Sequence, residues 1–256
     1  MAERFDLLSH IHPRKMHWCI QVYVIRMYEV PSYDDPSVIN SIDMILQDSQ
    51  GGRIHSSIPK KLMDTWRPII KEFHMYNMRN FMVMDKRPKV RATQIRRTLS
   101  FCNRTEVQEV DLLAFPLEPF TFRTISDILN PAVVTETELF DIVAEVVGKE
   151  DAREFTTSKG LDTKRMGRIT CVDKITPLMT EDRVEPLIVV LQFFRVNQWD
   201  GKTSIQSHFD ISKVCFDASL KDIVEFRNSQ SSGPGIEQLR RGQAEPKTIE
   251  DAWNTT

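Results

Sequence analysis

IDMILQDSQGGRIHSSIPKKLMDTWRPIIKEF, residues 42–73, sets two short apolar runs on either side of Ser49-Gln50-Gly51-Gly52 and follows them with apolar residues at helical spacing. The runs 42–48 and 53–58 read as strands, joined by a hairpin turn because glycine tolerates the positive φ that tight turns need. Leu62, Trp66, Ile69, Ile70 and Phe73 recur at roughly helical spacing. Pro68 lacks an amide proton, so this helix is expected to be short or kinked. Upstream, WCIQVYVIRMYEV (18–30) alternates Trp18, Ile20, Val22 and Val24 with their neighbours, as a long strand bent near Arg26 does. A polar loop holding Pro31 and Pro36 links it to residue 42. Downstream, MYNMRNFMVM (75–84) and VRATQIRRTLSF (90–101) read as two more strands. Three strands, a helix and two strands are what a five-stranded OB-fold barrel requires. The strand count alone would also fit an SH3-like barrel or half a sandwich; the helix between the third and fourth strands favours the OB-fold.

A second, weaker copy of this order follows a linker rich in Phe and Pro, LLAFPLEPFTFRTISDILNP (112–131). Its strand-like runs are LFDIVAEVV (139–147), RITCVD (168–173), LIVVLQFFRVNQ (187–198) and residues 203–216, with a short helix expected over 218–227. Trp199-Asp200-Gly201-Lys202 is a hairpin turn with the Asp-Gly signature. The expected fold is mainly β: two tandem OB-fold five-stranded barrels, the second incomplete, with short helices and a disordered C-terminal tail. The expected boundaries are 5–112 for the first barrel, 113–131 for the linker, 132–227 for the second barrel and 228–256 for the tail.

Length and composition agree with this organisation. The chain has 256 residues, 41% hydrophobic and 27% charged, which suits a globular protein with a real core. Net charge is -2, so bulk charge selects no partner. Its distribution says more: residues 1–125 hold 18 basic and 14 acidic side chains, the remainder 16 and 22. Cys19, Cys102, Cys171 and Cys215 are far apart and form no CxxC pair, against a disulfide framework or a structural zinc site. No apolar run is long enough to span a bilayer, and the N-terminus has no signal-like segment, so a soluble intracellular protein is expected.

No enzyme constellation is visible. The nine glycines are scattered apart from Gly51-Gly52, and neither a His-Glu-x-x-His nor a Gly-x-Ser-x-Gly motif occurs. His10, His12 and His17 lack a cysteine or paired carboxylate nearby and read as surface histidines. No cofactor is expected.

The strongest local signal is KRPKVRATQIRR (86–97): Lys86, Arg87, Lys89, Arg91, Arg96 and Arg97, with no acidic residue among them. Placed on a hairpin and its outgoing strand, such cations suit a groove that follows the phosphates of a single strand. The competing reading is protection of an exposed sheet edge. Trp199, at a hairpin tip, is a candidate stacking platform, with Lys202 and Arg195 beside it. Tyr23, Tyr28, Tyr33 and Phe81 are weaker candidates, since each fits a barrel core equally well.

Residues 5–227 resemble the DNA-binding large subunit of the replication protein A family, in its plant form. The carrying stretches are 8–30, 42–62 and 80–101 in the first half, and 139–147 and 187–205 in the second. The resemblance implies tandem OB-folds that bind single-stranded DNA without strong sequence preference, in replication, repair and recombination, in the nucleus and beside smaller replication protein A subunits. It implies a groove between the Tyr28–Ile42 and Asp85–Val90 regions. Arg53 and Arg79 are further candidate phosphate contacts of the first barrel. The two stacking aromatics of that family's first domain fall near Ile58 and Val90, neither of them aromatic. In the second domain one falls on Trp199, and the other near Val172-Asp173, where it is lost. By comparison with that family, a strand of about ten residues is expected to be missing between Met166 and Arg168, and the 256 residues are expected to hold no counterpart of its zinc-binding third domain. Such departures leave a rival reading, a degenerate OB-fold module that binds protein and has lost affinity for DNA.

Overall fold

The computed structural model describes residues 4–15, 17–85, 90–111, 120–130, 132–146, 155–156, 162–163, 187–199 and 202–215. The chain divides into two units, Met1–Phe120 and Thr121–Thr256.

Among the described residues, seven strands build the first unit: β1 (Cys19–Pro31), β2 (Ile39–Gln47), β3 (Arg53–Pro59), β4 (Met75–Arg79), β5 (Met82–Asp85), β6 (Arg97–Ser100) and β7 (Glu106–Glu109). Alternation sends Ile20, Val22 and Val24 of β1, Ile42, Met44 and Leu46 of β2, and Ile54 and Ile58 of β3 into one buried cluster. β1 pairs antiparallel with β2 and β4, and β2 with β3. β3 runs parallel to β6, which pairs antiparallel with β5.

Closure comes through the backbone. β4 and β5 are two halves of one bent strand, the first paired with β1 and the second with β6. The bend is at Asn80, whose φ of 59° lies in the left-handed region that asparagine tolerates better than most residues. Its carbonyl accepts hydrogen bonds from Thr105 Oγ1 at 2.9 Å and Cys102 Sγ at 3.4 Å. The single strand expected over 75–84 is therefore a bent pair.

The helical segment between β3 and β4 is short, as Pro68 requires: a 3-10 turn, Lys60–Leu62, and one α-turn, α1 (Met63–Trp66). Met63 is buried in the core, with Leu62 and Trp66 packed against it, and Trp66 lies edge-on to Phe101 at 5.7 Å. Leu8 and Ile11, both 0% exposed, seal the other end. The Leu8 amide is tied to Asp48 in the β2–β3 turn, away from the end of β3 that carries the helix.

Two strand assignments need correction. Of the strand expected over 90–101, the continuous part is Arg97–Ser100; residues 90–96 precede it with an isolated bridge at Arg91. Apolar alternation is absent there, and Thr93 Oγ1 bonds the Ile95 carbonyl at 3.1 Å, a local bond that competes with a ladder. β7 was not expected at all. Of its residues Glu106-Val107-Gln108-Glu109, only Val107 packs on the core, too little to register as a pattern.

In the second unit, β8 (Phe140–Val146) and β12 (Lys202–Ser207) pair antiparallel with β11 (Leu187–Trp199), and so does β13 (Lys213–Cys215). β9 (Phe155–Thr156) and β10 (Asp162–Thr163) form a separate short ladder. α2 (Ile125–Leu129) opens on a capping box between Thr124 and Asp127. Ile128 and Val134 join Phe140, Ile142 and Val196 in this unit's core. β11 bulges between Leu191 and Phe194, with Phe193 at φ 57°. The buried Asp141 carboxylate holds that bulge, accepting the Phe193 amide at 2.8 Å and the Thr121 amide at 2.6 Å. The expected strand at 168–173, the helix at 218–227, the tail at 228–256 and the sites of the missing strand and the lost aromatic lie outside the described residues. The architecture is mainly β and of the OB-fold class. Among the described residues no helix is long and apolar enough to cross a membrane.

Candidate nucleic-acid interface

The connection between β5 and β6 carries the basic segment. Its ends are held by the last pair of the ladder, Asp85 opposite Arg97. Arg91 and Arg96 are exposed, and among the described residues neither has an ion-pair or side-chain hydrogen-bond partner. Lys86, Arg87 and Lys89 lie outside the described residues. Arg97 is different: its guanidinium donates from Nη1 to the Ile11 carbonyl, and its Nε stands 3.9 Å from Asp85 Oδ1.

The other expected cations lie on strands. Arg53 opens β3 and donates from Nε to Gln47 Oε1 at 3.3 Å. Arg79 ends β4, opposite Cys19 on one side and Glu106 on the other. Trp199 and Lys202 are directly paired residues at the β11–β12 turn, as the hairpin reading requires. Arg195, further down β11, donates to Gln206 Oε1 at 3.1 Å.

The four tyrosine and phenylalanine candidates separate clearly. Tyr23 is buried, and burial together with the Glu72 charge pushes its phenol up to about 12. Phe81 is in the core, 5.7 Å from Phe101. Tyr28 is half-buried on β1, its ring 5.6 Å from the Arg26 guanidinium. Tyr33 is 92% exposed, in the β1–β2 loop. That loop is ordered by its own bonds: Asp35 accepts from the Ser37 amide at 2.9 Å and hydroxyl at 2.7 Å, and the Ser32 amide bonds the Val38 carbonyl at 2.7 Å. Ile58, where a stacking aromatic would be expected, is 0% exposed in the core.

Between the two loops, the outward face of β1–β3 carries a polar network that sequence reasoning missed. Asp43 Oδ1 accepts from Ser57 Oγ at 2.6 Å and Ser41 Oγ at 2.9 Å, and its Oδ2 lies 3.2 Å from His55 Nε2. The Tyr28 hydroxyl stands 3.2 Å from the same imidazole nitrogen. Burial raises the Asp43 pKa; hydrogen bonding and charge from His55, with the Ser57 and Ser41 hydroxyls, outweigh it and hold the carboxyl below the ordinary aspartate value. The available signal was strand alternation, which sets Asp43, His55 and Ser57 opposite the core positions Ile42, Met44, Ile54 and Ile58.

The histidines of the N-terminal segment are dispersed. His12 meets the edge of Trp18 at 5.2 Å and His17 bonds Asn80 at 3.3 Å. Among the described residues no group of three His, Cys, Asp or Glu side chains could hold a metal ion.

The family model of a domain of unknown function, DUF223, matches residues 9–130. No curated protein matches the sequence. Among solved structures, the chain is similar to one in a replication protein A heterotrimer bound to single-stranded DNA, with a TM-score of 0.63 at 15% identity. The match covers 96% of this chain and 58% of that one, so this chain spans little more than half its length. DNA-binding domain A of replication protein A from S. cerevisiae is matched at 14% identity over 42% of this chain and 94% of that one, with a TM-score of 0.35. At such identity the first of these likenesses establishes the OB-fold.

Proposed function

We propose that the chain binds single-stranded DNA without strong sequence preference and catalyses no reaction. The observation that carries this reading is the pair of exposed, unpartnered guanidinium groups, Arg91 and Arg96, on the β5–β6 connection of an OB barrel. An OB-fold binds single strands by combining a cationic track for phosphates with flat rings for bases. Lys86, Arg87 and Lys89 add to the track by sequence, and Tyr33 and Trp199 supply rings at two hairpin tips. Likeness to a replication protein A chain and the sequence resemblance to that family's plant large subunit support a place in DNA replication, repair and recombination. The same likeness supports the nucleus as location and smaller replication protein A subunits as partners.

Replacing Arg91 and Arg96 with Gln is expected to weaken binding to an oligothymidylate about tenfold at moderate salt, as loss of two phosphate contacts implies. The melting temperature should stay unchanged, because neither side chain is bonded. Unaltered affinity would refute the assignment.

The rival reading is a degenerate OB-fold module that binds protein. Ile58 favours it, because a core isoleucine stands where the resemblance places a stacking ring. Under that reading, well-folded protein fails to bind any single strand at low salt.

A further inference from the structure

The basic segment ends in two adjacent arginines that the structure treats oppositely. Arg96 is exposed and unpartnered. Arg97 is half-buried, bonded through Nη1 to the Ile11 carbonyl and set beside Asp85. On an extended backbone, neighbouring side chains point to opposite faces and alternate ones share a face. Arg97 therefore shares the inward face of Leu99, a core residue, at the end of the barrel that Ile11 seals. Ile11 is itself fixed: it is 0% exposed, and the same segment is tied to the β2–β3 turn through the Leu8 amide and Asp48 Oδ2 at 2.8 Å.

We infer that Arg97 is a positioning residue of the DNA-binding loop, holding the C-terminal end of the β5–β6 connection against the N-terminal segment so that Arg96 and Arg91 face solvent. This rests on the single-stranded DNA reading above. It removes Arg97 from the phosphate-contacting set in which the sequence had placed it. A phosphate that drew the Arg97 guanidinium away from the Ile11 carbonyl would loosen the segment that seals the barrel. Anchored, Arg97 lowers the ordering cost of the loop and turns its neighbour outward.

A double-mutant cycle separates contact from positioning, because groups that act through one another fail to add. Affinity for a labelled thirty-nucleotide oligothymidylate is measured for wild type, Arg97→Gln, Arg91→Gln/Arg96→Gln and the triple variant, with melting temperatures alongside. Arg97→Gln is expected to weaken binding about fivefold in the wild-type background and about twofold or less in the Arg91→Gln/Arg96→Gln background. Equal fold-changes in the two backgrounds, or no effect of Arg97→Gln on its own, would overturn the inference. If Arg97→Gln does not fold, Arg97→Lys enters the same cycle, keeping the charge but losing the planar fork. A purely structural role lowers the melting temperature and leaves the coupling at zero. Wild-type protein that does not bind the oligonucleotide overturns the DNA reading itself, and this inference with it. Binding by wild type with an additive cycle overturns only the role of Arg97.

Discussion

Asp43 keeps its charge in the wall of the first barrel because three neighbours compensate burial: His55, Ser57 and Ser41. Its folded-state pKa lies below the unfolded one. The stability it supplies is therefore complete above the ordinary aspartate range, near pH 4, and is lost as pH falls through the lower folded value. Melting temperatures from pH 5 to pH 2 are expected to fall more steeply for wild type than for Asp43→Asn; parallel curves would count against the network. Tyr33 makes a different residue-level claim. It is 92% exposed and supports no core, so Tyr33→Ala should leave the melting temperature unchanged. If its ring stacks on a base, the same variant should lose about 1–3 kcal/mol of affinity for a single strand. Equal affinity in a titration would exclude it from the interface. Sequence could not separate Tyr33 from Tyr23, since each sits where an aromatic is as useful inside as outside. The Asp43 network was illegible for a related reason: its members come from three strands, and Tyr28, Asp43, His55 and Ser57 meet through strand register.

The β2–β3 hairpin shows what an element needs beyond its two glycines. Asp48 is buried, its Oδ1 accepting the Gln50 and Gly52 amides at 3.0 and 2.8 Å while Oδ2 takes the Leu8 amide. Asp48→Ala strands those donors and is expected to lower stability by about 2–4 kcal/mol, read by urea denaturation. A loss below 0.5 kcal/mol would show that the turn stands without it. Gly52→Ala tests the same turn sterically, since a Cβ there would lie 3.0 Å from Asp48 Oδ2. Sequence reading placed the long first strand, this hairpin, the short helix and the β11–β12 hairpin where the structure has them. It missed the bend at Asn80, β7 and the short β9–β10 ladder. Each miss has a physical origin. Asparagine bends a strand without disturbing apolar alternation, and an edge strand such as β7 needs only one side chain on the core. The basic segment was assigned partly to a strand because its cations gave no contrary periodicity. With Arg97 tied to Ile11, Arg91 and Arg96 stay exposed ahead of β6, better placed for phosphate contacts than on a strand buried on both sides.

Across the chain, the reading is that a nearly neutral protein binds a polyanion through a local concentration of positive charge. Salt dependence tests this directly, because each phosphate neutralised contributes about -0.7 to the slope of log affinity against log salt for a single strand. Six cations give a slope of about -4. With Arg97 committed to Ile11, the five that remain are Lys86, Arg87, Lys89, Arg91 and Arg96, and the slope becomes about -3.5. The titration uses fluorescence anisotropy of a labelled thirty-nucleotide oligothymidylate across a series of salt concentrations. Binding that weakens with a slope near -3.5 is the expected result. A slope near zero, or no binding at low salt by well-folded protein, would contradict the DNA-binding reading and favour a protein-binding OB-fold module.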